Sequence, residues 1–417
     1  MRVLVVGGGV AGLAAAHRVR ERGFDVRLVE QAPRLGGKLH TGPLAETGAE
    51  AFLVRDPQTG EPSAAAELVE ALGLTGGLVH PAVGAAAVVV DGELRPIPAG
   101  TLFGIPSTVD EKPSGRPLLE PGQDVAVGAL VRQRHGDETV DRYVDPMLGG
   151  VYAGRADRIS LAMAIPALAA ACREHDTLSG AVRAVLSARR PGGPVFASLR
   201  GGVSRLVDAL AERVGRERIV TGEPVRVLDP AQPTVLAVPA RRAARLLSAV
   251  DSLELDYASV ALVTLVLPET PLPELSGFLV PATEGYTLKA ATFLDRKWPH
   301  LRRPGRTLLR VSIGRHGEEA TLQRPDHDLV SLAAKELGAI LGRPVDPVDA
   351  AVHRWGGALP QYPPGHPDRV ARVRAALPPM LAVAGAAYDG VGIPACLRSG
   401  RAAADRVLDA LEQSGNE

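Results

Sequence analysis

The chain has 417 residues, 46% of them apolar and 23% charged, a balance that lets a long chain fold around a large interior and that a disordered chain lacks. Lysine plus arginine and aspartate plus glutamate stand at 47 each, so no basic field exists to hold nucleic acid or an anionic membrane surface. Two cysteines, Cys172 and Cys396, with no CxxC and no His/Cys cluster at metal-ligand spacing, argue against a disulfide framework and a zinc site and fit a reducing cytoplasm.

Met1 leads directly into an apolar strand, Arg2 to Val6, so no signal peptide is expected. A glycine turn follows, then a helix from Leu13 to Arg22 and a strand from Asp25 to Val29 that ends at Glu30, a βαβ opening. Gln31 to Leu53 is glycine-rich and polar, and Pro62 to Leu72 carries a short amphipathic helix closed by Gly73. Gly84 to Pro98 predicts a strand pair turning at Asp91-Gly92. After a proline-broken stretch through Pro121, four segments repeat apolar residues at helical spacing: Val125–His135, Glu138–Met147, Ser160–His175 and Gly180–Ala188.

A helix over Gly202–Val214, strands over Glu223–Leu228 and Thr234–Val238, and a helix over Arg241–Val250 come next. The β-type runs Val260–Leu267, Gly277–Val280, Lys289–Phe293 and Thr307–Ile313 precede a helix over Arg324–Leu341 and a strand over Asp349–Trp355. The chain closes on the strand Met380–Ala384, a glycine-rich turn from Gly385 to Gly392 and a helix from Pro394 to Leu411. The most apolar runs, Ala162–Cys172 and Val260–Leu267, are too short to span a bilayer, so no transmembrane helix is expected.

Gly7-Gly8-Gly9-Val10-Ala11-Gly12 fits the GxGxxG dinucleotide fingerprint in the context it requires, between a strand and a helix. Gly7 permits the turn, Gly9 lets backbone approach a pyrophosphate, Gly12 lets the helix pack, and the helix start offers amide donors. Glu30 stands where an acid binds a ribose hydroxyl pair, with Gln31 beside it. Glycines solving a steric problem in a turn are the competing reading, and the added acid weakens it.

Arg34-Leu35-Gly36-Gly37-Lys38, downstream of Glu30, resembles the dinucleotide-binding extension of the flavin amine oxidase superfamily, which separates FAD from NAD. The segment Gly385-Ala-Ala-Tyr-Asp-Gly390-Val391-Gly392-Ile393-Pro394 is similar to the superfamily's C-terminal turn, which aims amides at the flavin. In mid-chain, Asp145-Pro-Met-Leu-Gly-Gly150-Val-Tyr152-Ala-Gly154 with Ile159-Ser-Leu161 resembles the porphyrinogen oxidases of haem synthesis, as does Phe196 to Leu206. Phe293 to His300, Arg310 to Arg315, Arg354 to His366 and the Gly390 to Ala403 tail agree, so the resemblance runs nearly the whole length.

That resemblance implies an α/β fold: a Rossmann-like FAD-binding domain formed by residues 1–80, 190–250 and 376–417, a mainly helical domain at 81–189, and a mixed-sheet substrate domain at 251–375. It implies FAD contacts from Gly7 through Gly12, Glu30, Gln31, Arg34, Gly36, Gly37 and Lys38. Gly48, Ala49, Glu50, Ala51, Val225, Trp355, Gly385, Val391, Gly392 and Ile393 complete that set. For Trp355 and Tyr362, core packing is the competing reading. Gly150 and Tyr152 are candidate walls of the substrate cavity, and no metal is expected.

The activity implied is oxidation of coproporphyrinogen III by dioxygen, with hydrogen peroxide formed, in the cytoplasm and with transient contacts to other haem-synthesis enzymes as partners. Protoporphyrinogen IX as substrate, an amine oxidase-like enzyme with another substrate, and a non-catalytic flavin-binding protein are the alternatives. Two stretches depart from the family: only Arg226 to Val235 stands where a hairpin is expected, and Val109 to Asp124 is compressed. Relatives acting on protoporphyrinogen often carry an arginine where this chain has Ala85-Ala86-Ala87, leaving Arg95 as a substitute carboxylate anchor against the reading of a solvated surface arginine.

Overall fold

Alternating burial along Arg2–Val6, with Val3 and Val5 fully enclosed, fits a strand at the centre of a parallel sheet. The computed structural model describes residues 2–56, 59–188, 193–247 and 254–414. It divides into two compact units, residues 1–79, 194–255 and 367–417 in one and residues 80–193 and 256–366 in the other.

In the first unit Arg2–Val6 lies in a five-stranded sheet between Asp25–Glu30 and Thr234–Leu236, with Ile219–Thr221 and Leu381–Val383 at the edges. Every neighbouring pair is parallel. The helix Val10–Glu21 starts three residues earlier than the sequence pattern suggests, because the glycine turn passes into it without a linker. It packs against the C-terminal helix Ile393–Ser414, which buries Leu397, Ala404, Val407 and Leu408.

The strand expected at Glu223–Leu228 is absent, and its place is taken by Ile219–Thr221. The β-branched run Ile219-Val220-Thr221 fits a pleated edge, whereas Pro224 has no N–H to give to a ladder. Gly222, at φ +78°, turns the chain out of the sheet between them. The helix read as Arg241–Val250 is Ala240–Leu246, and positions 248–250 lie outside the described residues.

The second unit holds a seven-stranded sheet in the order Asp349–Pro360, Tyr257–Pro268, Arg306–Ile313, Leu288–Phe293, Gly277–Leu279, Ala87–Val90 and Glu93–Pro96. One face, from Val263 and Leu265 through Leu309 and Val311 to Phe293, packs with the helix Asp326–Leu341. The strand pair turning at Asp91-Gly92 joins this sheet through a parallel contact of Ala87 and Val88 with Phe278 and Leu279. Residues 81–189 and 251–375, read from the sequence as separate domains, thus fall in one unit apart from their ends.

Two helices differ from their sequence reading for local reasons. The segment read as Ser160–His175 breaks into Leu161–Ala164 and Pro166–Ala171, because Ile165, held before a proline, leaves the helical region at φ −138°. The segment read as Glu138–Met147 winds through a π-helical turn at Val140–Val144 and continues as the helix Asp145–Tyr152.

The stretch after Val109 is fastened at its start by the Glu111 side chain. The Glu111 carboxylate accepts from the N–H groups of Leu178 (3.0 Å) and Ser179 (2.6 Å) at the start of the helix Leu178–Ala188, and lies 2.8 Å from His135 Nε2. Burial pushes the Glu111 pKa up, but His135 and the amide donors outweigh it, and the net shift is below the ordinary value. A carboxylate depressed on folding adds stability above its unfolded pKa and loses it as pH falls through the folded one. Glu111→Gln should therefore destabilise the protein by about 2–4 kcal/mol at neutral pH in denaturant unfolding. The gap to wild type should close as pH falls below about 4; a gap indifferent to pH would show that the charge is not what holds the stretch.

Candidate functional site

The parallel sheet of the first unit ends, at the carboxyl edge of its central strand, in the turn Gly7–Gly9. Gly7 takes φ +107°, and a Cβ there would lie 2.3 Å from the Ala237 carbonyl oxygen. A Cβ on Gly12 would lie 1.8 Å from the Gly7 carbonyl oxygen, so helix and turn touch backbone to backbone. Gly9 differs, because a Cβ there meets nothing within 4 Å. Two of the fingerprint glycines are thus demanded by packing and the third borders open space.

That space lies at the start of a 12-residue helix whose N-cap, Gly9, has no side chain to cap it. The Val10, Ala11 and Gly12 amides are first-turn donors without an intrahelical partner, and the helix dipole adds positive potential. The Glu30 carboxylate closes the other side, accepting from Gly8 N–H at 2.6 Å with one oxygen and from Ala32 N–H at 2.7 Å with the other. Each oxygen keeps acceptor capacity that a ribose hydroxyl can use.

The extension Arg34–Lys38 folds over this turn. Gly36 N–H donates to the Gly8 carbonyl at 2.8 Å, and Gly37, at φ +55°, would bring a Cβ to 3.3 Å from Gly9 Cα. Arg34 donates to the carbonyls of Leu35 and Gly37, which fixes the loop. Lys38 is driven below its ordinary pKa by burial, with Cys396 as a neighbour that acts the other way. Burial pushes the Cys396 thiol up to about 11. Lys38 and Cys396 are 358 positions apart, so their proximity brings the first and last sequence motifs together.

The C-terminal turn opens at Gly385, φ +112°, where a Cβ would sit 3.7 Å from that of Ala11. Gly385 N–H donates to Ser399 Oγ at 2.8 Å, and Ser399 donates to Asp389, which pairs with Arg374 at 2.6 Å. Gly390 and Gly392 also take positive φ, Val391 is half-buried, Gly392 exposed and Ile393 buried. Gly48, Ala49, Glu50 and Ala51 are half-buried, tied in through Ala49 N–H to the Lys38 carbonyl at 3.2 Å. Gln31 is exposed, and the Val225 carbonyl accepts from Arg242 at 3.3 Å. The residues present fit a dinucleotide: open space at Gly9, uncapped amides and an acid face one turn.

The remaining sequence candidates lie in the second unit. Gly150 sits inside the helix Asp145–Tyr152 rather than in an irregular turn, exposed, with a Cβ reaching 3.2 Å from Leu279 Cδ2. Tyr152 is buried edge-on to Tyr362, with ring centres 5.9 Å apart, and burial pushes its hydroxyl up to about 12. Arg95 is exposed on the last strand of the sheet and paired with Glu93 at 2.6 Å, which favours a surface role over a carboxylate anchor. Trp355 packs near Ala153 and Val260, with His353 4.6 Å from its ring centre.

Sequence reasoning missed Lys289. It is buried, donates to the Gly149 carbonyl at 3.3 Å, and is brought down to about 8 by burial and by Arg315 and Arg310. Among the described residues no carboxylate pairs with it, so its contact is with the last turn of the glycine-bearing helix, where a cation is favoured. Its place in a β-type run concealed it: the ladder slips between Leu288 and Ala290, and Lys289 is the bulged residue. Among the described residues no three His, Cys, Asp or Glu side chains converge as a metal site.

The family model of flavin-containing amine oxidoreductases matches residues 10–408. A coproporphyrinogen III oxidase of Mycobacterium tuberculosis is 40% identical over 449 aligned positions, covering 98% of this chain and 97% of that protein. A coproporphyrinogen III oxidase of Bacillus subtilis is 30% identical, with 98% and 97% covered. A crystal structure assigned to a protoporphyrinogen oxidase of Exiguobacterium superposes with a TM-score of 0.86 at 28% identity, covering 99% of both chains.

The glycines separate packing from binding experimentally. Gly9→Ala should leave stability within about 0.5 kcal/mol of wild type, since its backbone suits any residue and its Cβ has room. It should weaken flavin binding about tenfold or more, the scale of one or two lost charge-assisted hydrogen bonds. Gly12→Ala should instead fail as a folded protein. Flavin absorbance per protein and thermal melts read both, and a Gly9→Ala protein with full flavin would refute the placement of the phosphates.

Proposed function

Because the chain belongs to the family of flavin-containing amine oxidoreductases, we propose that it is an FAD-dependent oxidase that converts coproporphyrinogen III to coproporphyrin III. The observation that carries this reading is the likeness, nearly end to end, to coproporphyrinogen III oxidases of mycobacteria and Bacillus. FAD is the flavin favoured by the first unit, since the fingerprint turn and Glu30 suit a pyrophosphate joined to a ribose.

When bound there, a flavin would supply a hydride acceptor for a carbon bridging two pyrroles, whose oxidation also releases a proton from a pyrrole nitrogen. Three two-electron rounds remove three hydrides from bridging carbons and three protons, net two from pyrrole nitrogens and one from a bridging carbon, to give the aromatic macrocycle, and dioxygen would take up each electron pair with two protons as hydrogen peroxide. The chain's part is to bind and orient. Val10, Ala11 and Gly12 would offer amides to the phosphates and Glu30 would accept from ribose hydroxyls, with the half-buried Lys38 beside the same loop.

In the second unit the exposed Gly150 gives the helix Asp145–Tyr152 a bare backbone stripe against which a flat macrocycle can lie closely. Lys289 fixes that helix by its Gly149 carbonyl, and Gln361 donates to the Tyr152 carbonyl at 2.9 Å. Fastened by Lys289 from a strand and by Gln361 from the residue that follows one, the helix is held in place, as positioning of a large substrate requires.

Among the described residues no helix is long and apolar enough to cross a membrane, and Cys172 and Cys396 are free thiols. Both agree with a cytoplasmic enzyme that meets neighbouring haem-synthesis enzymes transiently. Protoporphyrinogen IX is the second substrate reading, motivated by the Exiguobacterium structure.

The purified flavoprotein should turn coproporphyrinogen III into a fluorescent porphyrin faster than it does protoporphyrinogen IX, releasing three peroxides per product. A flavin-loaded protein inert toward both substrates would refute the proposal, and a preference for protoporphyrinogen IX would transfer it to the second reading. Gly150→Val, with branched carbons on the bare stripe and beside Leu279, should cut turnover about tenfold or more at unchanged flavin content. Unaltered turnover would remove the helix from the substrate wall.

A further inference from the structure

Behind the C-terminal glycine turn the first unit contains a cavity of about 510 Å³ that no step of the proposed reaction uses. Arg374 and Leu377 form one side. Ala395, Arg398, Ser399, Ala402, Ala403 and Arg406 form another and recur at three and four positions, so they occupy one face of the C-terminal helix. Ala382 and Val383 form the floor. They belong to the strand Leu381–Val383 at the open edge of the five-stranded sheet, where backbone groups have no strand partner on the outer side.

The lining is cationic. Three arginines and one acid, Asp389, face the cavity, and Asp389 is neutralised by Arg374. Each guanidinium spends little of its donor capacity on the protein. Arg374 gives one hydrogen bond to Asp389, Arg398 one to Asp56 at 3.3 Å, and Arg406 one to the Leu377 carbonyl at 3.1 Å. A guanidinium carries five N–H donors in a planar fork that matches carboxylate and phosphate oxygens, so most of the donors are left over. Alanine, valine and leucine between the arginines leave room for a short apolar body.

We propose that this cavity binds a multivalent oxyanion, a phosphate- or carboxylate-bearing small molecule, as an effector of flavin binding. The coupling runs through Arg374. Its partner Asp389 accepts from the buried Ser399 hydroxyl, and that hydroxyl accepts from Gly385 N–H, the residue that opens the flavin-facing turn. An anion that draws the Arg374 guanidinium toward itself lets the Asp389 carboxylate shift with the Ser399 hydroxyl it holds, and Gly385 N–H shifts with them. Coupling is reciprocal, so flavin weakens the anion as the anion weakens flavin. This second half rests on the placement of flavin at the glycine turn; the anion site does not.

The test uses flavin-loaded protein, so that the cofactor's own phosphate loop is filled, with ionic strength held constant by sodium chloride. Calorimetric titration with inorganic pyrophosphate and with citrate should give saturable one-site binding, and the tighter of the two identifies the head group. The double variant Arg398→Ala, Arg406→Ala should bind at least about tenfold more weakly while keeping its melting midpoint and anion-free flavin content. Absence of saturable binding, or binding unchanged in that variant, overturns the site. Saturating anion should raise the flavin dissociation constant roughly fivefold or more, read by fluorescence of released flavin, and Asp389→Asn should abolish that rise. A constant that does not move with anion overturns the coupling. No readout uses a porphyrinogen, so these outcomes stand apart from the substrate proposal.

Discussion

The contact on which the rest of this structure depends is one in which two side chains are missing. Gly12 meets the Gly7 carbonyl where a Cβ would stand at 1.8 Å, and Gly400 meets the Ala11 carbonyl where a Cβ would stand at 2.0 Å. Those two clashes, avoided only by glycine, let the first helix sit against its own turn on one side and against the C-terminal helix on the other. The consequence is chemical as well as steric. With the helix drawn in this far, its uncapped amides border the open space at Gly9, and residues nearly four hundred positions away arrive beside them. Replacing the glycines by larger residues would require the helix to move outward, and the donors would move with it.

How far this was legible in the sequence follows from how local each feature is. The fingerprint turn, Glu30 and the Arg34–Lys38 extension lie within or directly after one βαβ unit, where spacing along the chain determines spacing in space, and they fold together as neighbours. The strand pair at 87–96 could be recognised from its own alternation and Asp91-Gly92 turn, yet nothing in it names Phe278 and Leu279 as its next partners. A strand carries its periodicity but not the identity of its neighbour. The misplaced strand at 223–228 has a similar origin: hydrophobic alternation was present, and Pro224 with the φ of Gly222 outweighed it. In the site, Lys289 was hidden because a bulge turns it out of the alternation, and the Arg374–Asp389–Ser399 chain because its members come from two helices and a turn.

Buried charge is distributed unevenly between the two units, and its partners tell what it does. Glu111 is satisfied by His135 and two amides, Arg315 by the carbonyls of Val280, Leu288, Tyr286 and Thr287, and both act as fasteners for segments without regular structure. Lys289 has a carbonyl where an acid would be expected, and burial with Arg315 and Arg310 nearby brings it down to about 8. Its ammonium lies at the carboxyl end of the helix that bears Gly150, so the helix dipole supplies part of the negative potential that a carboxylate would otherwise give.

The alignment with the mycobacterial relative is longer than this chain, so this chain lacks segments that the relative has. Loop length changes stability weakly, because closure entropy grows only with the logarithm of length, whereas a backbone contact that admits no Cβ changes stability abruptly. Shortening should therefore fall on loops and spare the glycine contacts. The connection between Thr221 and Thr234 is irregular and carries Val227 at 83% exposure. The Val109 to Asp124 stretch is irregular as well, but it is retained at its junction by Glu111. That tolerance ends at Gly7, Gly12 and Gly400, where a Cβ would lie within 2.3 Å of a backbone carbonyl oxygen.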